Sequence, residues 1–559
     1  MSSNSPSLSH FHGGIKLPSH KAMSTGSEIL RAKLPEQLIL PLQQHIGIAA
    51  RPLVNIGDHV LKGQMLAQAC GDISAPIHAP TSGLITDISE HPVPHPSGLR
   101  ALCIVLKSDG EERWCERHPL KYANTESPEK LRQRIYQAGI VGLGGATFPT
   151  AVKLNPKPSP KFSSGSSREK HAHIDTLILN GAECEPYISC DDMLMREYAE
   201  EVVSGCELIQ YIVSARECLI AIEDNKPEAI KALRNVLKEA SLHTINVIEI
   251  PTIYPTGGEK QLIKVLTQKE VPSDGLPSDI GILVQNVATA VAVHNAIHLG
   301  EPLISRIVTL TGEGIKQPQN MHVLIGTSMA ELVAQSGGYH EDACKLIMGG
   351  PMMGFCLPTD ELPITRACNC LLVENTAEQS PETLPCIRCG ACAQVCPAQL
   401  LPQQLFWHAS SKNFDIVQDY HLFDCIECGC CAHVCPSQIP LVQYYRYAKT
   451  EIWNLERERI KSDHARARHD FRQARLERDK KEREEKLRIK KELLEKKKQK
   501  EAAEKENADA ASDTDNSTAN NTEMDPKKAA IEAAMKRVQE KKAAQAAQNT
   551  PEQTSGGES

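Results

Sequence analysis

The chain has 559 residues, of which 41% are hydrophobic but only 4% aromatic, and its formal net charge is −8. That length has room for three or four domains, the shortage of aromatics leaves part of the chain without a packed core, and the acidic balance argues against a nucleic-acid partner. The 20 cysteines, with no basic-then-apolar leader before them, point to a reducing compartment or bound metal rather than disulfides.

Residues 1–9 are Ser-rich and expected to be mobile. The stretch HFHGGIKLP at 10–18 carries no catalytic pattern. From 39 to 107, short β-runs alternate with turn residues. The segments NIGDHVLKGQML (55–66) and APTSGLI (79–85) resemble the barrel-sandwich hybrid of biotinyl and lipoyl domains. Those domains carry a modified lysine on a hairpin tip. Here the tip reads Cys70, Gly71, Asp72, Ile73, so a structural or docking module is expected rather than a swinging arm.

A helix expected over 129–138 gives way to GIVGLGGATFPTAVKL at 139–154. Such a loop lets bare backbone approach a phosphate or a flat ring, or serves only as a turn. Pro149 suits the first turn of a following helix, and Lys153 adds a point charge. A dinucleotide fingerprint would need glycine at Thr147 and a preceding strand, and a P-loop would need Gly-Lys-Ser/Thr. After a Pro/Ser/Lys-rich surface insertion at 155–173, an apolar strand (176–179) runs into Asn180, Gly181, Ala182, Glu183, Cys184, Glu185 and Pro186. Polar groups at the end of a buried strand are a usual ligand site in α/β folds. In an extended segment Glu183 and Glu185 would share a face; the alternative is a solvated acidic turn.

Residues 208–222 and 229–240 read as alternating β and α segments, and YPTGGEKQL at 254–262 as a glycine turn opening a helix. The most apolar run, 280–299, is broken by Gln285, Asn286, His294, Asn295 and His298, too polar for the ~20 apolar residues of a membrane span. A soluble or peripheral protein is expected. Asn286 suits a helix N-cap. Strands, a turn at 311–314 and an amphipathic helix at 329–335 follow, then a flexible loop MGGPMMG (348–354) whose methionines are read as packing. Cys368 and Cys370 are read as ordinary thiols.

The most specific signal is Cys386-x2-Cys389-x2-Cys392-x3-Cys396-Pro397, repeated as Cys425-x2-Cys428-x2-Cys431-x3-Cys435-Pro436. This is the two-cluster ferredoxin spacing, in which the fourth cysteine of each run serves the other cluster. Two [4Fe–4S] clusters are therefore expected, one on Cys386, Cys389, Cys392 and Cys435, the other on Cys425, Cys428, Cys431 and Cys396. A zinc site does not explain three cysteines at x2, x2 spacing before x3 and proline, twice over. Cys430 is read as a small buried thiol. Residues 441–447 should close this module. Beyond 454 the chain is charged, with leucines too sparse for a coiled coil; a solvated, partly formed helix to 504, a disordered stretch over 505–524 and a second helix over 525–547 are expected.

GLGGATFPTAVKL and LILNGAECEP resemble the flavin site of the NADH-binding subunit of respiratory complex I, with Thr147 in place of a glycine. Joined to the barrel-sandwich and the ferredoxin pattern, they resemble the RnfC family of the Rnf ion-translocating electron transport complexes over roughly residues 10–450. The resemblance implies a multidomain α/β chain: a barrel-sandwich domain at 1–120, an FMN/NADH-binding α/β domain at 121–300, a small β-grasp-like domain at 301–365, a two-cluster ferredoxin domain at 366–450 and a charged tail at 451–559. It implies FMN lined by Gly142, Gly144, Gly145 and Lys153, with Asn180, Gly258, Glu259 and Asn286 beside it. Glu183 and Glu185 would orient NADH. It further implies an oxidoreductase subunit of translocase type, peripheral on the cytoplasmic face of the bacterial inner membrane. Its partners would be integral membrane subunits and a ferredoxin-like subunit. The alternative is a non-catalytic iron–sulfur relay in the same assembly.

Overall fold

A computed structural model describes residues 8–156, 173–375 and 382–509. The insertion expected at 155–173 lies outside them apart from its ends, as do most of 505–524 and all of the helix expected over 525–547. The chain divides into two units, 1–457 and 458–559.

Near the N-terminus, strands Gln37–Pro41, His59–Val60, Gly83–Pro92 and Arg100–Ser108 form one sheet, and Arg51–Pro52, Met65–Gln68 and Ile77–His78 a second. Alternation along the strands sends Leu38 and Leu40, then Ile104 and Leu106, inward to 0% exposure. This is the expected barrel-sandwich.

The flavin-type region is built on a four-stranded parallel sheet in the order Ile245–Ile250, Glu217–Glu223, Thr176–Gly181, Ile282–Asn286. Leu177, Ile178 and Leu179 are all fully buried, as a parallel strand covered on both faces requires. Residues 208–213 are not strand: they complete the helix Ala199–Val213, and the strand starts only at Glu217. Apolar Leu208, Ile209 and Ile212 lie one turn apart and are buried on one helix face. The run 280–299 becomes the strand Ile282–Asn286 and the helix Val287–His294, then a π-turn Asn295–Leu299. Adjacent strands pair Asn180 with Asn286 in register at their carboxyl ends.

A six-stranded sheet follows, containing Ser305–Thr311, Gln319–Leu324, Lys345–Met348, Phe355–Cys356 and Cys370–Glu374, with Leu30–Arg31 from the N-terminal segment at its edge. The helix Met329–Gln335 stands where the sequence places it. Cys368 and Cys370 are fully buried in or beside this sheet.

The two cysteine runs fold as near copies. Arg388 and Glu427 both have φ of 57°, and Gly390 and Gly429 have φ of 80° and 81°. Those glycines precede the single-turn helices Ala391–Gln394 and Cys430–His433. Leu441, Val442, Tyr445 and Ala448 are buried against them, so the expected closing segment is the first two turns of a helix, Leu441–Asp509. Beyond Ile452 its residues through 503 are exposed. It is continuous rather than partly formed, sustained by strong helix formers and by pairs such as Arg466–Asp463 and Lys486–Glu482.

The stretch at 10–18 acts as a strap. Gly14 N–H donates to Val395 O at 3.0 Å, beside the cluster cysteine Cys396, and Ile15 exchanges backbone hydrogen bonds with Tyr254. A Cβ on Gly13 would lie 2.5 Å from both the carbonyl carbon and oxygen of Val395, at a φ of +70°. Gly13→Ala should therefore cost about 2 kcal/mol or more, from left-handed strain plus the clash. Thermal unfolding and iron content of the purified variant check this, and unchanged values would show that the strap is not packed on the ferredoxin module.

Candidate electron-transfer site

The glycine loop is closed at its base by Gly142 N–H donating to Phe148 O at 2.9 Å. At its tip Gly145 has a φ of +108° with open space where a Cβ would stand. Thr147, which stands where the resemblance has a glycine, takes a left-handed backbone at φ 48°, and its side chain is buried. Pro149 stands at the N-cap, one place before the first turn expected for it, and the helix it opens is a single turn, Thr150–Lys153. A Cβ on Gly144 would lie 3.3 Å from Asn286 Cβ, so the loop rests on that residue. Asn286 Oδ1 accepts from Ala288 N–H at 2.9 Å and caps its helix, while its Nδ2 donates to Asp191 Oδ2 at 2.6 Å.

Asn180 reaches sideways: its Nδ2 donates to Gly257 O at 2.9 Å, and its Oδ1 accepts from Ala182 N–H at 3.1 Å. That draws in the second glycine turn, where Gly258 caps the helix Glu259–Thr267 and Glu259 pairs with Lys153 at 2.8 Å. Gly142, Gly144, Gly145, Lys153, Asn180, Gly258, Glu259 and Asn286 thus share one rim at the carboxyl ends of the two paired strands. Bare glycine backbone, two amides and a half-exposed lysine fit a flat ring bearing a phosphate.

The two glutamates do not share a face. Glu183 takes a φ of 44°, which turns the segment instead of extending it. Its carboxylate faces inward: Oε1 accepts from Asp191 N–H at 2.7 Å and Oε2 from Asp192 N–H at 3.3 Å, at the start of the helix Cys190–Glu197. Lys21 Nζ lies 3.7 Å away, and the Glu183 side chain is 4% exposed. Glu185 points elsewhere. Its Oε1 accepts from Met352 and Met353 N–H at 2.7 and 3.0 Å, so the loop at 348–354 is pinned at this point. Burial pushes both carboxyl pKa values up. Both carboxylates thus already hold backbone in place.

Several residues that brace this loop carried no signal in the sequence. Lys21 donates to the carbonyls of Glu183 at 2.8 Å and Glu185 at 3.1 Å, and to that of Ile188. Lys226, fully buried, donates to Ala182 O at 2.7 Å and pairs with Glu223. Tyr254 O–H donates to Cys428 O at 2.7 Å. Tyr254, Cys428 and Cys430 form a small buried cluster against which Cys184 of the glutamate loop, Met352 and Val395 pack. Cys430 is fully buried there, as read from the sequence.

The structure sorts the eight cysteines by threes and one. Cys386, Cys389, Cys392 and Cys435 line one cavity of about 280 Å3. Cys396, Cys425, Cys428 and Cys431 line another. Backbone N–H groups of Arg388, Leu400 and Glu427 each approach a cysteine Sγ at 3.4 Å. Cys430 lines the second as well. These thiols, with N–H donors aimed at three of them, fit thiolate-held iron–sulfur clusters. The first cavity is at the surface, with Cys389 exposed; in the second, Cys396, Cys428 and Cys431 are all below 10% exposure.

Four family models match in order along the chain: the RnfC barrel sandwich hybrid domain over 9–111, the Nuo51 FMN-binding domain over 135–295, the SLBB domain over 307–355 and a 4Fe-4S dicluster domain over 385–439. The cofactors are accordingly FMN and [4Fe–4S] clusters. The RnfC-type member of the ion-translocating oxidoreductase complex of Pseudomonas aeruginosa is 51% identical over 474 residues, 84% of this chain and 59% of that protein. Its counterpart in Vibrio cholerae is 50% identical over 476 residues, 84% of this chain and 59% of its own. That of Pectobacterium atrosepticum is 47% identical over 472 residues, 84% and 66% respectively. The chain therefore spans about 59% of the length of the first two relatives. With these four domain matches in order and about half its residues shared with such relatives over 84% of its length, the chain belongs to the RnfC family of ion-translocating oxidoreductase complex subunits.

Proposed function

We propose that this chain passes electrons between NAD(H), FMN on the glycine rim and its two [4Fe–4S] clusters, as a peripheral subunit on the cytoplasmic face of the bacterial inner membrane. The clusters would exchange electrons with a ferredoxin-like subunit and integral membrane subunits of a translocase-type complex. FMN supplies the step from two-electron hydride chemistry to the one-electron chemistry of clusters. Among the described residues no helix is long and apolar enough to cross a membrane, which supports the peripheral placement.

The observation that carries the reading is the buried contact of Cys184, Tyr254, Cys428 and Cys430. It joins the glutamate loop directly to one set of cysteines. The inner cluster, on Cys396, Cys425, Cys428 and Cys431, is then next to the flavin. The outer one, on Cys386, Cys389, Cys392 and Cys435, faces a partner. Gly142, Gly144, Gly145 and Gly258 give close backbone approach, Lys153 and Glu259 edge the rim, and Asn180 and Asn286 hold the two turns in place. Glu183 and Glu185 orient the nucleotide through the loop they brace. Their engagement in structural contacts favours, as a second reading, a relay subunit that does not itself oxidise NADH.

Anaerobic purification followed by NADH addition tests both. About one flavin and about eight irons per chain, with the flavin bleached by NADH, are expected. Silence with flavin present supports the relay, and about eight irons without flavin sinks the flavin half. Tyr254→Phe should leave bleaching intact, slow cluster reduction and cost about 1–2 kcal/mol in unfolding, because the buried Cys428 carbonyl loses its donor. Equal cluster reduction in variant and parent would remove Tyr254 from the route.

A further inference from the structure

Asp191 has no part in the electron route, yet it is built into the flavin rim. It is half-buried, and its Oδ2 accepts from Asn286 Nδ2 at 2.6 Å, while Gly144 of the rim packs on that same asparagine. Its carboxylate also lies near that of Glu183: a carboxylate oxygen of each and the Cys190 sulfur are all within 4.8 Å of one another. Two carboxylates this close disfavour being ionised together.

The cations nearby are shared with other groups. Lys21 is 3.7 Å from Glu183 but spends its donors on three carbonyls. Lys226 is engaged by Glu223 and the Ala182 carbonyl. Arg306, which faces Asp191, donates to the carbonyls of Leu143 and Arg366. Asp192 adds a negative charge that is already paired with Arg196 at 2.6 Å. The Cys190 thiol is pushed well up by burial and stays neutral. Burial outweighs the pull of these cations and raises both carboxyls, which favours keeping one proton on the pair.

We propose that Asp191 and Glu183 share a single exchangeable proton, and that this pair accepts the proton left at the flavin site when the clusters take its electrons. The proposal rests on the flavin reading above. NADH gives a hydride, which is two electrons and a proton. The clusters carry off two electrons, one each, and no proton. One proton per NADH must therefore pass to a base, and the Asp191 carboxylate becomes the neutral acid. Burial and the adjacent Glu183 charge raise the Asp191 pKa to about 7, where such a group both accepts and releases protons readily. In the reverse direction the same pair returns the proton.

The test is pH-difference infrared spectroscopy of the oxidised, flavin-loaded full chain, with the flavin midpoint potential measured across pH. A protonated-carboxyl C=O band titrating near neutral pH is expected, lost alike in Asp191→Asn and Glu183→Gln. The potential should show a break near the same pH that Asp191→Asn abolishes; a merely structural aspartate would not move it. Asparagine preserves an acceptor for Asn286, and glutamine preserves one for the helix start. Absence of the band in the parent between about pH 5 and pH 8 overturns the proposal, as does its survival in Asp191→Asn or an unchanged potential profile. A parent protein without flavin overturns the flavin reading instead, and the infrared band still decides whether the pair shares a proton.

Discussion

Cys396→Ala removes the cluster ringed by Cys425, Cys428 and Cys431, and leaves the one ringed by Cys386, Cys389 and Cys392. Iron should fall from about eight to about four per chain. The reason is spatial: Cys396 lines the cavity of the second run, and Cys435 that of the first. Electron paramagnetic resonance of the reduced variants separates this from in-order ligation. Cys396→Ala and Cys428→Ala should leave one residual signal, and Cys435→Ala and Cys389→Ala the other. If Cys396→Ala and Cys389→Ala share a signal, each run holds its own cluster and the crossover is wrong. Cys396→Ala also separates the two ends of the route. Flavin reduction by NADH should persist, while the outer cluster stays oxidised, because the inner cluster is the one that touches Tyr254 and Cys184 through Cys428.

Lys21→Met should be the most damaging single change outside the cysteines. The ammonium ties three carbonyls of one loop together and faces the buried Glu183 carboxylate. Removing it strands a buried charge and leaves those acceptors unpaired, for about 3–5 kcal/mol. Flavin content should fall with it, since the loop it gathers continues into Asn180 and the rim. Lys21→Arg should not rescue, because a planar fork cannot converge on the three carbonyls as an ammonium does. Calorimetry and flavin content of the two variants check this. Parent-like melting of Lys21→Met would show that the loop holds its shape without the clasp.

How far the sequence reached depended on the range of the interaction involved. Cysteines at x2, x2, x3 spacing announce iron–sulfur chemistry because one short turn must place three sulfurs around one cluster. The apolar strand at 176–179, the helix before the glycine loop and the Asn286 cap were legible for the same reason: periodicity and cap chemistry act within a few residues. The end of the helix at 208–213 reads as strand in the sequence because a short apolar run suits either element until its neighbours decide.

The glutamates show where local reasoning stops. Their alternation implied a shared face, which holds only for extended backbone. At Glu183 the backbone turns left-handed, and its carboxylate finds the start of a helix and a lysine 162 residues earlier in the chain. Nothing in NGAECEP encodes Lys21, and nothing around Lys21 encodes a loop. Nor does HFHGGIKLP reveal that it straps the ferredoxin module to the flavin-side turn. By itself the sequence determined the chemistry: eight thiols in two runs, a bare glycine loop and the order of the domains. Only the tertiary structure decided where each glutamate points and which set of cysteines adjoins the flavin loop. Those are contacts between distant segments, set by packing and by the need of each buried charge and carbonyl for a partner.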